Sequence, residues 1–273
     1  MSEEASPAEA RRLRLDTLLV RRGHAASRAR ARRLIEAESV QVAGRVVTKP
    51  GRIVAEEAEV TVTGSDIPYV SRAGLKLEAA LDRFALDPTD TRALDVGAST
   101  GGFTDLLLQR GAREVVTVDV GTDQLHARLR DDSRVRCLES TDIRSADPAL
   151  LGAPFPWLVA DLSFLSLGGV LPVLRRLVTD DAVVAVLVKP QFEVGRGKVG
   201  RGGVVRDRKL REGALEGVRA QTEGSGLRPG DAFEVPLAGE SGNREYFLRL
   251  HPVPAGPTAR APGPEIDPPG ELG

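Results

Sequence analysis

Strand-like and helix-like stretches alternate along this 273-residue chain from Arg92 onwards, and few folds accommodate such an alternation. The strand-like stretches include EVVTV at 114–118 and AVVAVLV at 182–188. Because the second of these is apolar at every position, it is typical of a parallel strand that helices cover on both faces. The sequence therefore predicts a doubly wound, Rossmann-like α/β sheet.

Helical spacing of apolar residues predicts the elements around this sheet. Helices are expected at 72–84, at 102–109, near 122–130, near 168–178 and near 207–220. The stretches DAFEVPL and REYFLRL read as two adjoining strands near the end of the chain. Because polar and apolar residues alternate in REYFLRL, we expect it to be antiparallel and to form an edge of the sheet.

The N-terminal part is strongly basic although the whole chain has a net charge of −1. Residues 11–52 hold twelve Arg or Lys and three Asp or Glu, so this segment carries +9 and the remainder −10. Such an asymmetry predicts a module that binds a polyanion. The alternative is that these arginines only solvate surface helices.

Two predicted helices and a small sheet make up this basic part. Leu15, Leu18 and Leu19 recur at helical spacing, and Ser27 is expected to cap a second helix. After Glu38 the pattern changes to the short strands SVQV, GRVV and EVTV. This arrangement resembles the S4-type RNA-binding domain, a small α+β domain. The expected RNA contacts within it are Arg11, Arg14, Arg21, Arg22, Arg28, Arg30, Arg32 and Arg33.

Composition divides the chain into four segments. We expect an S4-like domain at 1–62, an interdomain linker at 63–71, a catalytic domain at 72–251 and a Pro-rich, disordered tail at 252–273. The tail holds seven prolines and four glycines, a composition that does not form a packed core.

The sequence favours a cytoplasmic protein without a membrane anchor or a metal centre. The longest apolar run, Ala182–Val188, is too short to span a bilayer, and the N-terminus lacks the apolar core of a signal peptide. A single cysteine, Cys137, and three scattered histidines offer no metal-ligand spacing. A metal cofactor is therefore not expected.

The stretch DVGASTGGFTD at 95–105 is a glycine-rich turn between a predicted strand and a predicted helix, the place where α/β sheets bind nucleotides. It lacks the Gly-Lys-Ser/Thr ending of a P-loop and the G-x-G-x-x-G spacing of a dinucleotide site. Asp95 before the turn favours a ligand with positive charge, such as S-adenosylmethionine, over a pyrophosphate. The alternative is a structural turn without a ligand.

Acidic residues after the following strands complete the expected cofactor site. Asp119, at the end of the second strand, is placed to accept the ribose hydroxyls, and Asp142, after the third strand, is placed for the adenine edge. For Asp142 an ordinary surface role stays open, because acids at strand ends are common. The expected cofactor-binding residues are Asp95, Gly97, Ala98, Ser99, Thr100, Gly101, Gly102, Phe103, Asp119, Asp142 and Asp161.

The acceptor atom is inferred from the other strand ends. The stretch DLSF that begins at Asp161 lacks the Pro-Pro of many enzymes that methylate exocyclic amines, and Cys137 lies inside a predicted strand. An oxygen therefore remains as the candidate atom that accepts the methyl group. Lys189 ends an apolar strand and is the candidate acid–base group, provided that its amine loses its proton. Lys76 favours that loss, whereas Asp161 and Glu245 oppose it, and by themselves Lys76 and Glu245 read as surface residues.

Six stretches resemble one known family nearly throughout residues 13–250: YVSRAGLKLEAAL, LDVGASTGGFTDLLLQRGA, VDVGTDQL, ADLSFLSL, LVKPQFEVGRGKVGRGGVVRD and GNREYFL. They are similar to the TlyA (hemolysin A) family of ribosomal RNA 2'-O-methyltransferases, which join an S4 domain to an FtsJ-like methyltransferase domain. The resemblance implies methylation of a cytidine ribose 2'-hydroxyl in assembled ribosomal subunits, with S-adenosylmethionine as the cofactor. It also implies that Lys76, Asp161, Lys189 and Glu245 form the Lys-Asp-Lys-Glu catalytic tetrad of FtsJ-like enzymes.

A basic, glycine-rich loop at 196–209 offers a second contact with RNA, since it holds six basic residues and one acid. The alternative is a solvated connector. The motifs also leave open a tRNA or another ribose position as the substrate, and a ribosome-associated factor without enzymatic activity. The expected RNA contacts outside the S4-like domain are Arg72, Arg196, Lys198 and Arg201.

Overall fold

The computed structural model describes residues 11–25, 27–36, 38–62, 67–195, 197–239 and 242–254. The side chains of Arg33 and Arg201 are outside this description. Part of the expected linker, 63–66, and most of the expected tail, 255–273, also lie outside the described residues.

Short helices and strands form the N-terminal part: β1 (Arg12–Arg14), α1 (Leu15–Arg21), α2 (Arg28–Glu36), β2 (Val40–Val42), β3 (Arg45–Val46), β4 (Ile53–Ala55) and β5 (Val60–Val62). Strand β2 lies between β3 and β5 and pairs with both in antiparallel register. The Ser27 hydroxyl accepts a hydrogen bond from the Arg30 backbone N–H at 3.2 Å, which confirms Ser27 as a cap of α2. The predicted order of two helices and a small sheet is therefore confirmed.

The antiparallel pair of β1 and β4 is absent from the sequence-based prediction. Leu13, between two arginines, is partly buried against the N-terminal core, and its partner Val54 is buried in that core. Burial of these two apolar side chains fixes the pair. Three residues that include two arginines show too little alternation to indicate a strand.

Asp16 in the first turn of α1 is fully buried. Its carboxylate accepts hydrogen bonds from Arg14 at 3.0 and 2.9 Å and from Arg28 at 3.2 Å. Hydrogen bonding to these guanidinium groups, mainly that of Arg14, lowers the pKa of Asp16 to about 2 although burial acts in the opposite direction. One carboxylate thus connects β1, α1 and α2.

Strands and helices alternate in the larger C-terminal part: α3 (Ala73–Phe84), β6 (Arg92–Val96), α4 (Gly102–Gln109), β7 (Glu114–Val118), α5 (Ala127–Arg130), β8 (Val135–Leu138), α6 (Pro148–Leu151), β9 (Phe155–Ala160), α7 (Leu171–Arg176), β10 (Val178–Val188), α8 (Pro190–Glu193), α9 (Arg208–Gln221), β11 (Leu227–Glu234) and β12 (Tyr246–Pro252). Two short 3₁₀ turns, Leu167–Gly169 and Arg201–Gly203, precede α7 and α9. The helix predicted at 102–109 is confirmed at both ends.

The described strands of this part form one sheet in the order β8-β7-β6-β9-β10-β12-β11. The first five are parallel, and β12 runs antiparallel to both of its neighbours. The doubly wound α/β prediction is confirmed, but the prediction that REYFLRL forms an edge is wrong because β11 lies outside it. Tyr246 and Leu248 are buried on one face of β12 and Phe247 on the other, so an alternating pattern here accompanies burial on both faces.

Two predicted helices are shorter than expected. The helix predicted near 122–130 begins at Ala127, because the Glu139 side chain accepts the backbone N–H groups of Asp123, Gln124 and Leu125 and holds them in a turn. The helix predicted near 168–178 is a 3₁₀ turn followed by α7, which ends at Arg176.

Glycines bring α3 and α4 close together beside the sheet. A Cβ atom on Gly102 would lie 2.8 Å from the backbone nitrogen of Gly74, so a side chain at Gly102 would push α3 away. This close contact places Lys76, one turn into α3, near the carboxyl ends of the central strands.

A testable consequence concerns Asp16. We expect Asp16→Asn to lower the free energy of unfolding of the N-terminal part by about 2 kcal/mol at neutral pH, because a buried ion pair loses one partner. Folding lowers the pKa of Asp16, so its stabilisation is present above about pH 4 and is lost as the pH falls towards 2. Hydrogen exchange at the backbone amides of α1 and α2 measures both effects.

The matched control is Asp123→Asn, because Asp123 pairs with Arg130 on the surface and is 84% exposed. We expect almost no change in amide exchange for this variant. Equal exchange in the wild type and in Asp16→Asn would contradict the stabilising role of the buried carboxylate.

Candidate active site

A cavity of about 720 Å³ opens at the carboxyl ends of β6, β9 and β10. The glycine turn after β6, the loop after β9 and the end of β10 contribute to its wall, and α3 and the segment before β12 close it. Carboxyl ends of parallel strands form the ligand crevice in this kind of sheet. The cavity therefore lies where the sequence predicts a cofactor and an acceptor site.

The glycine turn is tightly folded against the loop after β9. Gly97 has a φ of +83°, and a Cβ atom there would lie 2.5 Å from the backbone oxygen of Asp161. Gly101 has a φ of +95°, which also favours glycine. Residues of this turn that line the cavity are Gly97, Ala98, Ser99, Thr100 and Phe103.

Two hydrogen bonds to the Asp119 carboxylate hold the glycine turn in place. One carboxylate oxygen accepts the Ser99 backbone N–H at 2.8 Å, and the other accepts the Gly121 N–H at 2.7 Å. A carboxylate has further lone pairs, so Asp119 retains the capacity to accept ribose hydroxyls. Asp119 does not itself line the cavity, so its contact with a ribose stays a prediction.

Asp95 is fully buried under the turn. Its Oδ2 accepts a hydrogen bond from the Thr104 hydroxyl at 2.7 Å, whereas Oδ1 has no hydrogen-bond partner among the described residues. Burial raises the pKa of Asp95 to about 7, and the negative charges of Asp161 and Asp119 act in the same direction. A buried carboxylate oxygen without a partner fits a ligand that carries a cationic group, as S-adenosylmethionine does.

Five predicted cofactor contacts are absent from this cavity wall: Asp95, Gly101, Gly102, Asp119 and Asp142. Gly101 and Gly102 belong to the turn and the start of α4 but do not line the cavity. Asp142 is engaged by Arg144, with a closest contact of 2.6 Å, and it does not line the cavity either. Contact of Asp142 with an adenine stays a prediction.

The four residues of the expected tetrad meet at the cavity as two ion pairs. Lys189 Nζ lies 2.5 Å from Asp161 Oδ1, and Lys76 Nζ lies 2.7 Å from Glu245 Oε2. All four side chains are exposed by 15% or less. The first pair joins the ends of β9 and β10, and the second joins α3 to the residue before β12. Both pairs line the same cavity.

Sequence reasoning missed three residues around these groups. Thr104 orients Asp95 through the hydrogen bond from its hydroxyl. Ser163 accepts a hydrogen bond from Lys189 Nζ at 2.8 Å. Phe164 lines the cavity, is 91% exposed and has a ring centroid 5.4 Å from that of Phe192. An aromatic residue three positions after a strand-end acid was the available signal for Phe164, because loops at strand ends carry binding residues.

The arginines of the N-terminal part fall into two groups. Arg22 donates hydrogen bonds to the backbone oxygens of Ala58 at 2.7 Å and Glu56 at 2.5 Å, and Arg21 lies 2.7 Å from the Glu56 carboxylate. These two arginines stabilise their own fold. Arg14 and Arg30 are partly buried, whereas Arg11, Arg28 and Arg32 are exposed. Arg14 and Arg28 also contact the buried Asp16 carboxylate.

Of the other predicted RNA contacts, one lies at the cavity. Arg72 lines it and donates a hydrogen bond to the Ala238 backbone oxygen at 3.0 Å. Lys198 is exposed, and Arg196 lies outside the described residues, as does the Arg201 side chain. The buried Asn243 fixes the end of the basic loop, because it donates to the Gly203 backbone oxygen at 2.8 Å and accepts from the Val205 N–H at 2.9 Å.

Two other kinds of feature, a membrane-spanning helix and a metal-binding cluster, are absent from the described residues. None of the described helices is long and apolar enough to cross a bilayer. Within the described part of the chain, no group of three or more His, Cys, Asp or Glu side chains is arranged to hold a metal ion.

Two family models match the chain. The model of the FtsJ-like methyltransferases matches residues 69–251, which is more than half of the chain. The model of the S4 domain matches residues 13–60. The cavity, its glycine turn and its two ion pairs all lie within the first of these ranges.

Similar proteins extend over nearly the same length. The "16S/23S rRNA (cytidine-2'-O)-methyltransferase TlyA" of Mycobacterium tuberculosis (strain ATCC 25618 / H37Rv) is 48% identical over 242 residues, which cover 88% of this chain and 90% of that protein. The "Putative rRNA methyltransferase YqxC" of Bacillus subtilis is 43% identical over 240 residues, which cover 87% and 85%. A solved structure described as a "Putative hemolysin from Streptococcus thermophilus" has a TM-score of 0.69 and 39% identity, and covers 89% of this chain and 90% of that chain.

The raised pKa of Asp95 predicts proton-linked cofactor binding. A cationic ligand favours the charged carboxylate, so binding below about pH 7 requires Asp95 to lose a proton. We expect the affinity for S-adenosylmethionine to rise by up to about tenfold between pH 6 and pH 7. Titration calorimetry at pH 6, in two buffers of different ionisation enthalpy, measures the released protons, and release of none would contradict the prediction.

The matched variant is Thr104→Val, which has a similar shape but removes the hydrogen bond that favours the charged form of Asp95. We expect it to move the pH dependence of binding to higher pH. Without ligand, the stability that protonated Asp95 contributes is present below about pH 4 and is lost as the pH rises through about 7. A pH dependence of binding identical to that of the wild type would contradict the role of Thr104.

A second prediction concerns the turn itself. Gly97→Ala places a Cβ atom against the Asp161 backbone at a φ of +83°, so the turn and Asp161 must separate. We expect weaker binding of S-adenosylmethionine by about tenfold or more, measured by calorimetry. Gly213→Ala, inside α9 with open space around its Cβ position, is the control and should bind as the wild type does. Equal binding by Gly97→Ala would contradict the steric argument.

Proposed function

Because the chain belongs to the TlyA (hemolysin A) branch of the FtsJ-like methyltransferase family, we propose that it methylates the ribose 2'-hydroxyl of a cytidine in ribosomal RNA, with S-adenosylmethionine as the cofactor. The observation that carries the proposal is the pair of lysine–carboxylate contacts at the cavity, Lys189 with Asp161 and Lys76 with Glu245. A ribose hydroxyl is a weak nucleophile and requires such a polar site to lose its proton.

Residues of the glycine turn and the acids around it would hold the cofactor. Gly97 allows a close approach of the backbone, Asp119 is placed for the ribose, and Asp95 offers its unpartnered oxygen to a cationic group. When bound, S-adenosylmethionine supplies a methyl group on a positively charged sulfur, and the carbon–sulfur electron pair stays with sulfur. The protein therefore has to orient the acceptor and remove its proton.

Lys189 is the group that accepts the hydroxyl proton. Its amine lies at the end of β10, faces the cavity and is 11% exposed. Asp161 fixes the position of Lys189 and balances the charge after the proton arrives. Glu245 holds Lys76 in the same way.

Substrate binding relies on the exposed arginines and the basic loop. Arg11, Arg28 and Arg32 present positive charge on the N-terminal part, and Lys198 does so beside the cavity. Such contacts with phosphates give a salt-dependent grip that reads the shape of a folded RNA rather than its sequence. An assembled ribosomal subunit presents RNA in a fixed shape, and we propose it as the substrate, which implies action in the cytoplasm.

Phe164 suits a contact with a base. Phe164 is 91% exposed at the cavity and lies beside Phe192, which also lines it, so the two rings offer an apolar surface to a ligand. Aromatic side chains stack on bases that leave a helix. The nucleotide that presents its ribose to Lys189 would therefore place its base against Phe164.

The experiment is methyl transfer from labelled S-adenosylmethionine to purified small subunits, large subunits, intact ribosomes and tRNA. We expect 2'-O-methylcytidine in ribosomal RNA for the wild type. Lys189→Ala should lower kcat by about 100-fold or more, because it removes the proton acceptor. Lys189→Arg is the matched variant: it keeps the positive charge but cannot accept a proton, so we expect an equal loss.

Two outcomes would contradict the proposal. Label in tRNA alone would exclude ribosomal RNA as the substrate. Full activity of Lys189→Arg would exclude Lys189 as the proton acceptor and would leave it an electrostatic role only.

A further inference from the structure

We propose that Ser163 is a positioning residue for methyl transfer, because its hydroxyl and Asp161 together direct the Lys189 amine into the cavity. The inference rests on the proposed function of Lys189 as the proton acceptor. Ser163 lies two residues after Asp161, in the loop that follows β9, and its side chain lines the cavity.

A neutral lysine amine has two N–H donors and one lone pair, arranged tetrahedrally around nitrogen with the Cε atom. Asp161 Oδ1 lies 2.5 Å from Lys189 Nζ as its ion-pair partner, and Ser163 Oγ accepts a hydrogen bond from Nζ at 2.8 Å. Of these two contacts only the one with Ser163 has hydrogen-bond geometry, since Asp161 Oδ1 has no hydrogen-bond partner among the described residues. Ser163 thus occupies one N–H donor of the neutral amine and turns its lone pair toward the acceptor hydroxyl in the cavity, and the proton of that hydroxyl goes to Nζ.

The ion-pair contact with Asp161 alone would not fix this direction. With Asp161 as the sole partner, the amine rotates about its Cε–Nζ bond, and the lone pair points toward the cavity in a fraction of the rotamers. A hydrogen bond to Ser163, which is held at a fixed position, restricts this rotation. Ser163 therefore acts on the rate of proton removal and not on the binding of the cofactor or the RNA.

The loop that carries Ser163 is held at both ends. The Asp161 backbone N–H donates to the Val96 backbone oxygen at 2.9 Å. At the other end, the Glu193 carboxylate accepts the Ser166 hydroxyl at 2.7 Å and the Leu167 N–H at 2.9 Å. These contacts join the loop to β6 and to α8, which directly follows Lys189.

Between its two ends the loop adopts an unfavourable backbone conformation. Phe164 has a φ of +67°, which bulky residues rarely adopt. This conformation turns the chain directly after Ser163, where the hydroxyl meets Lys189. A strained residue held between two anchored ends is typical of a functional site. Because Ser163 is exposed to the cavity, a role in core packing does not explain its placement.

The test compares Ser163→Ala and Ser163→Thr with the wild type in methyl transfer to ribosomal subunits. We expect Ser163→Ala to lower kcat by about tenfold, the effect of one hydrogen bond, with KM for RNA and affinity for S-adenosylmethionine unchanged. Ser163→Thr keeps the hydroxyl and should restore kcat to within about threefold of the wild type. An unchanged kcat in Ser163→Ala, or a Thr variant no better than Ala, would overturn the proposal.

The matched control is Ser166→Ala, three residues further along the same loop. It removes a hydrogen bond to Glu193 instead of one from Lys189. We expect its kcat to stay close to that of the wild type. A loss equal to that of Ser163→Ala would mean that general loosening of the loop, and not the contact with Lys189, lowers the rate.

A second measurement does not depend on activity. The chain has five lysines, so Lys189 can be assigned in a protein labelled with [13Cε]lysine by comparison with Lys189→Arg. We expect Ser163→Ala to shift the Lys189 ε signals and leave those of Lys76 in place. Unchanged Lys189 signals would overturn the contact. If the wild type methylates no ribosomal RNA, the proposed function fails while this measurement still decides whether Ser163 positions Lys189.

Discussion

The contact between Gly97 and the backbone of Asp161 determines how the two halves of the site meet. A Cβ atom at residue 97 would lie 2.5 Å from the Asp161 oxygen, so the turn after β6 and the loop after β9 touch without any side chain between them. The turn belongs to the expected cofactor site, and Asp161 belongs to the tetrad. Parallel pairing of β6 with β9 and of β9 with β10 then aligns Lys189 with both. The pairing of these strands therefore sets the positions of the glycine turn, Asp161 and Lys189 relative to one another.

Charge is distributed unevenly around this contact. Asp95, Asp119 and Asp161 lie around the turn, and each of the two lysines at the cavity is paired with one carboxylate, Lys189 with Asp161 and Lys76 with Glu245. Burial and neighbouring acids raise the pKa of Asp95 to about 7, and a cationic ligand relieves that unfavourable concentration of negative charge.

Much of this arrangement was predictable from local pattern. The helix at Gly102–Gln109 and Lys189 at the end of an apolar strand follow directly from glycine placement and apolar runs. Lys76 and Glu245 did not, because their pairing joins residues 169 positions apart and only the family resemblance indicated it. The edge prediction for REYFLRL was wrong because alternation does not reveal that a further strand lies outside. Ser163 was missed because a hydroxyl gains its role from the strained turn at Phe164, which no local pattern shows.

The most direct test of the account is a crystal structure of the protein with sinefungin, an analogue of S-adenosylmethionine that carries an amine in place of the methyl-bearing sulfonium. We predict that its ribose hydroxyls bind Asp119 and that its methionine-like amino group reaches Asp95 directly or through one water, at about 3 Å for each hydrogen bond. The amine that replaces the methyl donor should face Lys189 across the cavity. An analogue bound away from the glycine turn, or with its reactive end pointing away from Lys189, would contradict the account.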